Sequence, residues 1–291
     1  MRRIGKKINR GGKMTGYKTI LVHAGPPCDA AVGTIAAQLA RTFNARLVSV
    51  ACSGIELLLA PGIVETGSET IARHLMDRID AASNALEALS EVALRAGVII
   101  GETHRLNGRA EKELMEHMLY ADLAVVGQGL EKRRMRNGWR TLPEQLLRNA
   151  SRPVLVVPEG YAGKSCGQRA LLAWDGSAAA ARAVSAAMPI LARAERVEAV
   201  TYSTDDGFNV PGELDSLSNF LASHGVHAQT RFLRARRNVD IGDALLGHAT
   251  ASGADLLVLG GYGHSRWREL VLGSVSGTVM RDLRVPALFC H

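Results

Sequence analysis

The sequence predicts an α/β protein built from two tandem, open, mostly parallel five-stranded sheets with helices on both faces. Two observations predict this fold. Short apolar, β-branched runs alternate with longer segments that have the Ala and Leu content and the spacing of helices. In addition, residues 121–157 and 254–290 align without a gap, with Asp122 and Asp255 133 residues apart. Strands that are apolar on both faces and alternate with helices are typical of a covered parallel sheet, and the repeat indicates two copies of it.

The second half shows the alternation most clearly. Its apolar runs predict strands near residues 169–174, 196–202, 227–233, 254–260 and 285–290. The segments between them predict helices at residues 178–192, 213–224, 241–252 and 273–283, of which the first consists almost entirely of helix formers.

The first half carries the same pattern with an insertion. Residues 20–25 match 170–175 at an offset of 150 residues, whereas the later match has an offset of 133, so the first half has 17 extra residues. They fall around residues 57–96, where residues 69–95 predict one amphipathic helix with apolar positions at Leu75, Ile79, Leu86 and Leu89. An extended covering helix is favoured over a lid.

The junction between the halves is short and polar. Residues 159–168 contain glycine and have no periodicity, which is typical of a connection. We therefore expect a first domain at residues 17–160, a linker at 161–168 and a second domain at 169–291.

The basic character of the chain lies in its N-terminal tail. The 35 Lys and Arg residues against 28 Asp and Glu residues give a net charge of +7. Residues 1–13 hold six of the basic residues and no acidic ones, so the remainder carries only +1. We expect residues 1–16 to be a disordered basic tail, and Met14 suggests the hypothesis that translation begins there.

Several classes of protein are disfavoured by these patterns. No apolar run approaches the ~18 residues of a membrane span, and the apolar stretch after the tail is too short for a secretory signal. We therefore expect a soluble, cytoplasmic protein. The four cysteines, at positions 28, 52, 166 and 290, lack the spacing of a zinc site or a disulfide framework. We expect them to be reduced and mostly buried.

A glycine pattern follows the fourth predicted strand of the second half. It consists of Gly260 and Gly263, nine further residues, and then Gly273-Ser274. In open parallel sheets ligands bind beyond the carboxyl ends of the strands, next to strands one and four. Glycines there let backbone amides approach a phosphate, and the start of the following helix favours an anion, with the Ser274 hydroxyl as cap or donor. The pattern therefore predicts phosphate binding.

A second candidate residue, Asp175, follows the first strand of this half. Its carboxylate could accept hydrogen bonds from ribose hydroxyls, as an acid does in other nucleotide-binding folds. Alternatively, Asp175 or Ser177 caps the N-terminus of the next helix. Together with the glycine pattern, the nucleotide interpretation is favoured.

These residues resemble the universal stress proteins, in the ATP-binding branch with two tandem domains, from about Tyr17 to His291. The resemblance implies a Rossmann-like fold of the adenine nucleotide alpha hydrolase-like type, with ATP or AMP, with or without Mg²⁺, between the ends of strands one and four. Asp175 would hold the adenosine, near the backbone of Ala173 and Trp174. The adenine pocket would be lined by Tyr202, Leu259 and Gly260. The phosphates would be surrounded by Gly263, His264, Gly273, Ser274 and Val275, with Ser276 close behind. His264 could equally be a solvated loop residue.

The first half departs from this pattern. Gly127 is retained, but Leu130, Arg140 and Thr141 stand where the second half has Gly263, Gly273 and Ser274, and Gly25 stands in place of Asp175. Side chains at the first two positions would obstruct phosphate, and prolines at 26, 27 and 143 remove amide donors. The nucleotide site is expected to be lost there. The basic loop at residues 131–140 is interpreted as a solvated surface loop rather than a site for another anion or an acidic partner.

Three functions fit these observations. The favoured one is a stress-response or regulatory protein that binds ATP or AMP in its second half. The first alternative is a slow ATP hydrolase or phosphotransferase, although no Walker-type G-x-x-x-x-G-K-[ST] motif occurs and Asp255 precedes its strand. The second is anion or nucleic-acid binding through basic segments, which is disfavoured because aromatic residues make up only 4% of the chain.

The last strand of each half bears on assembly. The resemblance implies that residues 153–158 and 286–290 make contacts between domains, so that the two halves form an internal pseudo-dimer. Association of two chains into a homodimer is left open.

Overall fold

The structure is a computed structural model that describes residues 16–25, 30–54, 68–129, 141–163, 165–203, 211–235, 239–261 and 275–291. Several features discussed above lie outside these ranges. They are the basic tail with Met14, Cys28, the basic loop at 131–140, and the motif residues Gly263, His264, Gly273 and Ser274.

The first half contains five strands in alternation with helices. The strands are β1 (Thr19–His23), β2 (Arg46–Cys52), β3 (Ile100–Leu106), β4 (Leu123–Gly127) and β5 (Val154–Val157). The described helices are α1 (Ala30–Phe43), α2 (Ser68–Arg95), α3 (Ala110–Met118) and α4 (Leu142–Asn149).

The second half repeats this order close to the predicted positions. Its strands are β6 (Arg169–Ala173), β7 (Arg196–Ser203), β8 (Ala228–Arg234), β9 (Leu256–Gly260) and β10 (Ala287–Cys290). Its described helices are α5 (Ala178–Leu191), α6 (Pro211–Ser223), α7 (Ile241–Ser252) and α8 (Val275–Arg281). The predicted mostly parallel α/β fold is confirmed.

The two predicted sheets form one sheet of ten strands, which corrects the expectation of separate sheets. The strand order is β3-β2-β1-β4-β5-β10-β9-β6-β7-β8, and every neighbouring pair is parallel except β5 with β10. Those two strands pair antiparallel, with Leu288 opposite Leu155. Both have apolar residues on both faces, so pairing satisfies their backbones and removes two apolar sheet edges from water.

The outer strands differ from the expectation that all strands are apolar on both faces. β3 and β8 form the two ends of the sheet, and most of their residues are exposed. Glu102 on β3 pairs with Arg46, and Arg231 on β8 pairs with Glu198. Charged side chains on an edge strand disfavour pairing with other chains, which accounts for this polar composition.

Two hydrophobic layers run along the whole sheet, one on each face. The layer that involves α1, α2, α5 and α6 extends from Ile20 in the first half to Leu172 in the second. The opposite layer, with α3, α4, α7 and α8, extends from Leu21 to Phe289. Because each layer contains residues of both halves, the halves share their core instead of touching through a polar surface.

The long helix α2 covers one face of the first half. Its C-terminal part packs on α1, where Leu86 and Leu89 are buried, whereas Leu75 and Ile79 are only partly buried. A Cβ atom on Gly33 of α1 would lie 2.9 Å from Leu89, so the two helices are in close contact. This packing favours the covering role over that of a lid.

Three of the four cysteines lie in the described residues, and all three are free thiols. Cys52 and Cys166 are buried, whereas Cys290 is partly exposed. Burial raises the pKa of the Cys52 thiol to about 12, so it is protonated at neutral pH.

Among the helices in the described ranges, none is long and apolar enough to cross a membrane.

Candidate functional site

The strand order of the second half reverses between β6 and β9. β6 pairs with β9 on one side and with β7 on the other, and Ala173 lies opposite Leu259 at the carboxyl ends of the paired strands. The chain continues from β6 into Trp174 and Asp175, and from β9 into the glycine motif. Asp175, which follows β6, and Gly260, which ends β9, therefore lie at the same edge of the sheet, at the topological switch point.

The turn between β6 and α5 shows what caps the helix. Ser177 is the N-cap, with its hydroxyl accepting a hydrogen bond from the Ala180 amide at 3.1 Å. Asp175 Oδ1 accepts from the Ser177 amide at 3.0 Å, and Gly176 adopts a φ of +72°. No described residue hydrogen-bonds to Asp175 Oδ2. The carboxylate is thus oriented through Oδ1, whereas Oδ2 has no hydrogen-bond partner among the described residues.

Trp174 has a buried donor without a partner. Its backbone amide donates to Val200 at 2.9 Å, and its carbonyl accepts from the Thr201 hydroxyl at 2.8 Å, so both backbone groups are tied to β7. The indole Nε1 is buried and has no acceptor among the described residues. An unpaired buried donor is costly, which makes an acceptor on a bound molecule a reasonable partner. The sequence reasoning named only the backbone of Trp174. In the structure the backbone groups are already hydrogen-bonded, and the indole Nε1 is the group that can still donate.

Tyr202 lies at the end of β7, next to these residues. Its hydroxyl donates to the Ala244 carbonyl of α7 at 3.2 Å, and burial raises its pKa. The hydroxyl is therefore engaged with α7, and only the ring is available to line a pocket.

Gly260 is required for close packing and not for a backbone conformation that favours glycine. It has no positive φ, but a Cβ atom there would lie 2.7 Å from the backbone nitrogen of Ala180 in α5. The Gly260 carbonyl accepts a hydrogen bond from Ser276 Oγ of α8 at 3.0 Å. Gly260 thus lets β9 approach α5, while Ser276, itself buried, ties the start of α8 to the end of the strand. Val275, also predicted in the site, begins α8.

The corresponding edge of the first half is built differently. At the start of α4, the Thr141 amide donates to Glu144 Oε2 at 2.9 Å, and the Thr141 hydroxyl accepts from the Glu144 amide at 3.5 Å. This capping box places a carboxylate at the helix N-terminus, where the predicted motif would place a phosphate. Glu144 was missed by the sequence reasoning, although the T-x-x-E spacing signals it.

A neutral histidine occupies the end of β1. His23 stands where the second half has Ala173, 150 residues later. Burial lowers the pKa of His23 to about 4, so the imidazole carries no charge at neutral pH. Because Gly25 stands at the position of Asp175, the first half has no carboxylate there. The neutral His23 adds no positive charge in its place.

The fold and the site define the class of this protein. It is a doubly wound α/β protein with a glycine-rich segment at its topological switch point, the place where such folds bind ligands.

Residues 167–291 match the model of the Universal stress protein family. The curated protein Universal stress protein Slr1230 of Synechocystis sp. is 26% identical over 147 residues, which are 50% of this chain and 49% of that protein. The chain thus spans about half the length of this relative. The two matches support the universal stress protein family for this chain.

Solved structures resemble nearly the whole chain. A universal stress protein from Archaeoglobus fulgidus superposes with a TM-score of 0.71 at 15% identity, covering 93% of this chain and 95% of that one. A functionally unknown protein from Pseudomonas aeruginosa superposes with a TM-score of 0.56 at 14% identity, covering 95% and 93%. At these identities the likeness concerns the fold, and it confirms the Rossmann-like architecture.

Proposed function

We propose that the second half binds one adenine nucleotide, ATP or AMP, and that the protein acts as a nucleotide-binding regulator in a stress response. The observation that carries this proposal is the convergence of Asp175 and the Gly260 motif at one switch point. Such an edge supplies a carboxylate for the sugar and glycine-rich backbone for phosphate.

The described residues fit the adenosine part of the ligand. Asp175 Oδ2 would accept hydrogen bonds from the ribose hydroxyls, because Oδ1 is held by Ser177. The unpaired Trp174 indole would donate to an acceptor of the nucleotide. The Tyr202 ring and Leu259 would line the adenine pocket.

The phosphate part of the site is proposed from the motif. Gly263, His264, Gly273 and Ser274 would surround the phosphates, with any Mg²⁺ bound to them. Val275 and Ser276 would complete this side of the site. The bond from Ser276 to Gly260 supports this placement because it holds the two ends of the motif together.

The first half is proposed to bind no nucleotide. The Glu144 carboxylate at the N-terminus of α4 would repel phosphate, and Pro143 in the first turn lacks an amide donor. We further propose that residues 17–160 and 169–291 act as two domains of an internal pseudo-dimer, which the β5 and β10 pairing supports. One nucleotide per chain is the resulting stoichiometry.

Replacing Asp175 by Asn tests the proposed site. The amide keeps an acceptor for the Ser177 amide but puts an NH₂ group in place of one carboxylate oxygen. Loss of a charged acceptor for ribose should weaken ATP binding about tenfold or more. Isothermal titration of the full chain with ATP and with AMP gives the affinity and the stoichiometry.

The matched control is Asp215→Asn, because Asp215 is an exposed residue of α6 outside the proposed site. Its ATP affinity should equal that of the wild type. Equal affinities for Asp175→Asn and wild type, or two nucleotides per chain, would contradict the proposal. Incubation with radiolabelled ATP separates binding from catalysis, since turnover of many equivalents within minutes would favour the hydrolase alternative.

Replacing Trp174 by Phe removes the indole donor while keeping an aromatic ring. One hydrogen bond of ~1 kcal/mol corresponds to an affinity loss of about fivefold. Trp174 is also expected to report binding by its fluorescence when Trp139 and Trp267 are replaced by Phe. An ATP affinity of Trp174→Phe within twofold of the wild type would show that the indole makes no contact with the ligand.

A further inference from the structure

A residue of the first half contacts the helix that follows the nucleotide motif. Gln128 comes directly after β4, and its side-chain Nε2 donates to the carbonyls of Met280 at 2.8 Å and Arg281 at 3.0 Å. These carbonyls lie at the C-terminal end of α8 in the second half, 152 and 153 residues further along the chain. Gln128 therefore bonds across the boundary between the two halves.

The contact meets a need of α8. The last carbonyls of a helix have no partner within the helix and are satisfied by caps, side chains or water. α8 has only seven residues, so its own hydrogen bonds hold it weakly. The two bonds from Gln128 fix its C-terminal end to the first half, whereas Ser276 fixes its other end to Gly260.

The equivalent position of the second half is Gly261, which has no side chain with which to cap a helix of the first half. Gly261 stands 133 residues after Gln128, and each residue bonds by its backbone amide to the last strand of its own half at 2.8 Å. A Cβ atom on Gly261 would lie 3.0 Å from Leu147 of α4. Leu147 is itself 133 residues before Met280, so the two approaches are equivalent in the repeat. Of the helices α4 and α8, it is α8 whose C-terminal carbonyls accept hydrogen bonds from a side chain of the other half. α8 is also the helix that follows the intact glycine motif in the sequence.

We propose that Gln128 is a positioning residue for the nucleotide site of the second half. It acts through α8, by holding the helix whose first two residues, Val275 and Ser276, are proposed to complete one side of the site. This inference rests on the proposed nucleotide binding. Under this proposal the first half, whose own nucleotide site is degenerate, contributes to the nucleotide affinity of the second half.

Three substitutions of Gln128 in the full chain test this role. Leu keeps a similar length but has no donor, and Glu places a negative charge at the negative end of the helix. Both are expected to weaken ATP binding about three- to tenfold. Lys retains an N–H donor for the carbonyls and a charge that suits this helix end, so its ATP affinity should stay within about twofold of the wild type.

The measurements separate positioning from general stability. The ATP affinity is compared with the thermal midpoint of each variant without nucleotide, and hydrogen exchange of peptides covering 275–283 is compared with peptides covering 241–252. We expect faster exchange in the 275–283 peptides alone for the Leu and Glu variants.

The outcomes of the titrations are distinguishable. If the wild type binds neither ATP nor AMP, the proposed function fails and this inference with it. If the wild type binds ATP and the Leu and Glu variants bind it equally well, the positioning role alone is overturned. The same conclusion follows if the Lys variant loses as much affinity as the Leu variant.

Discussion

Replacing Asp255 by Ala is expected to lower the free energy of unfolding by about 3 kcal/mol or more. Asp255 is only 6% exposed, and it precedes β9. Its carboxylate accepts hydrogen bonds from the backbone amides of residues 167, 168 and 169 at 3.1, 3.2 and 2.8 Å and from the Ser165 hydroxyl at 2.7 Å. Removing it would leave these donors unpaired where the junction enters β6. Urea unfolding followed by circular dichroism measures the change.

The repeat provides a matched control in Asp122, which precedes β4. Its carboxylate accepts from two backbone amides at the start of β1, those of Lys18 at 2.7 Å and Thr19 at 2.9 Å, and it is more exposed. Because water can replace some of these bonds, Asp122→Ala is expected to cost about 1 kcal/mol. If the two variants were equally stable, the larger role assigned to Asp255 would be wrong.

Replacing Gly260 by Ala is expected to destabilise the protein by about 2 kcal/mol. The new methyl group would lie 2.7 Å from the Ala180 nitrogen and 2.9 Å from the Ala179 carbonyl carbon, and backbone atoms of a helix cannot move aside as a flexible side chain can. The variant should relieve this overlap by displacing α5 from β9. Because α5 begins at the turn that contains Asp175, ATP affinity should fall as well.

Gly127 is the matched control, since it ends β4 as Gly260 ends β9. A Cβ atom there would lie 3.3 Å from a methyl carbon of Val32, which a small side-chain adjustment can accommodate. Gly127→Ala is therefore expected to change stability by less than about 1 kcal/mol. Thermal unfolding of both variants checks the difference, and an unaffected Gly260→Ala protein would contradict the packing role.

The positions of Asp175 and Gly260 in the fold could be predicted because their signals are local. The apolar run before Asp175 predicts that it follows a strand, and the apolar run that ends at Gly260 predicts that this residue closes one. The capping alternative at this turn was also partly correct, since Ser177 caps α5 while Asp175 orients the turn. Spacing alone could not show that Oδ2 of Asp175 has no hydrogen-bond partner within the described part of the chain, because that depends on the path of the turn.

Other features of the site could not be predicted because they depend on contacts between distant residues. The burial of Trp174 Nε1 depends on how segments distant in the sequence pack together, and the close approach of Gly260 to α5 arises only when that helix is folded onto the sheet. Glu144 is different, because its capping box with Thr141 can be read from four consecutive residues.

The repeated α/β pattern is already present in the sequence, and so are the approximate positions of its elements; α7 lies at Ile241–Ser252 as predicted, whereas β9 begins at Leu256 rather than at residue 254. These properties follow from helix propensity and hydrophobic spacing within a few residues. The antiparallel pairing by which β5 and β10 join the strands of both halves into one sheet, and the bonds from Gln128 to α8, are seen only in the tertiary structure. Both depend on which surfaces of the two halves meet, and local propensity carries no information about that choice.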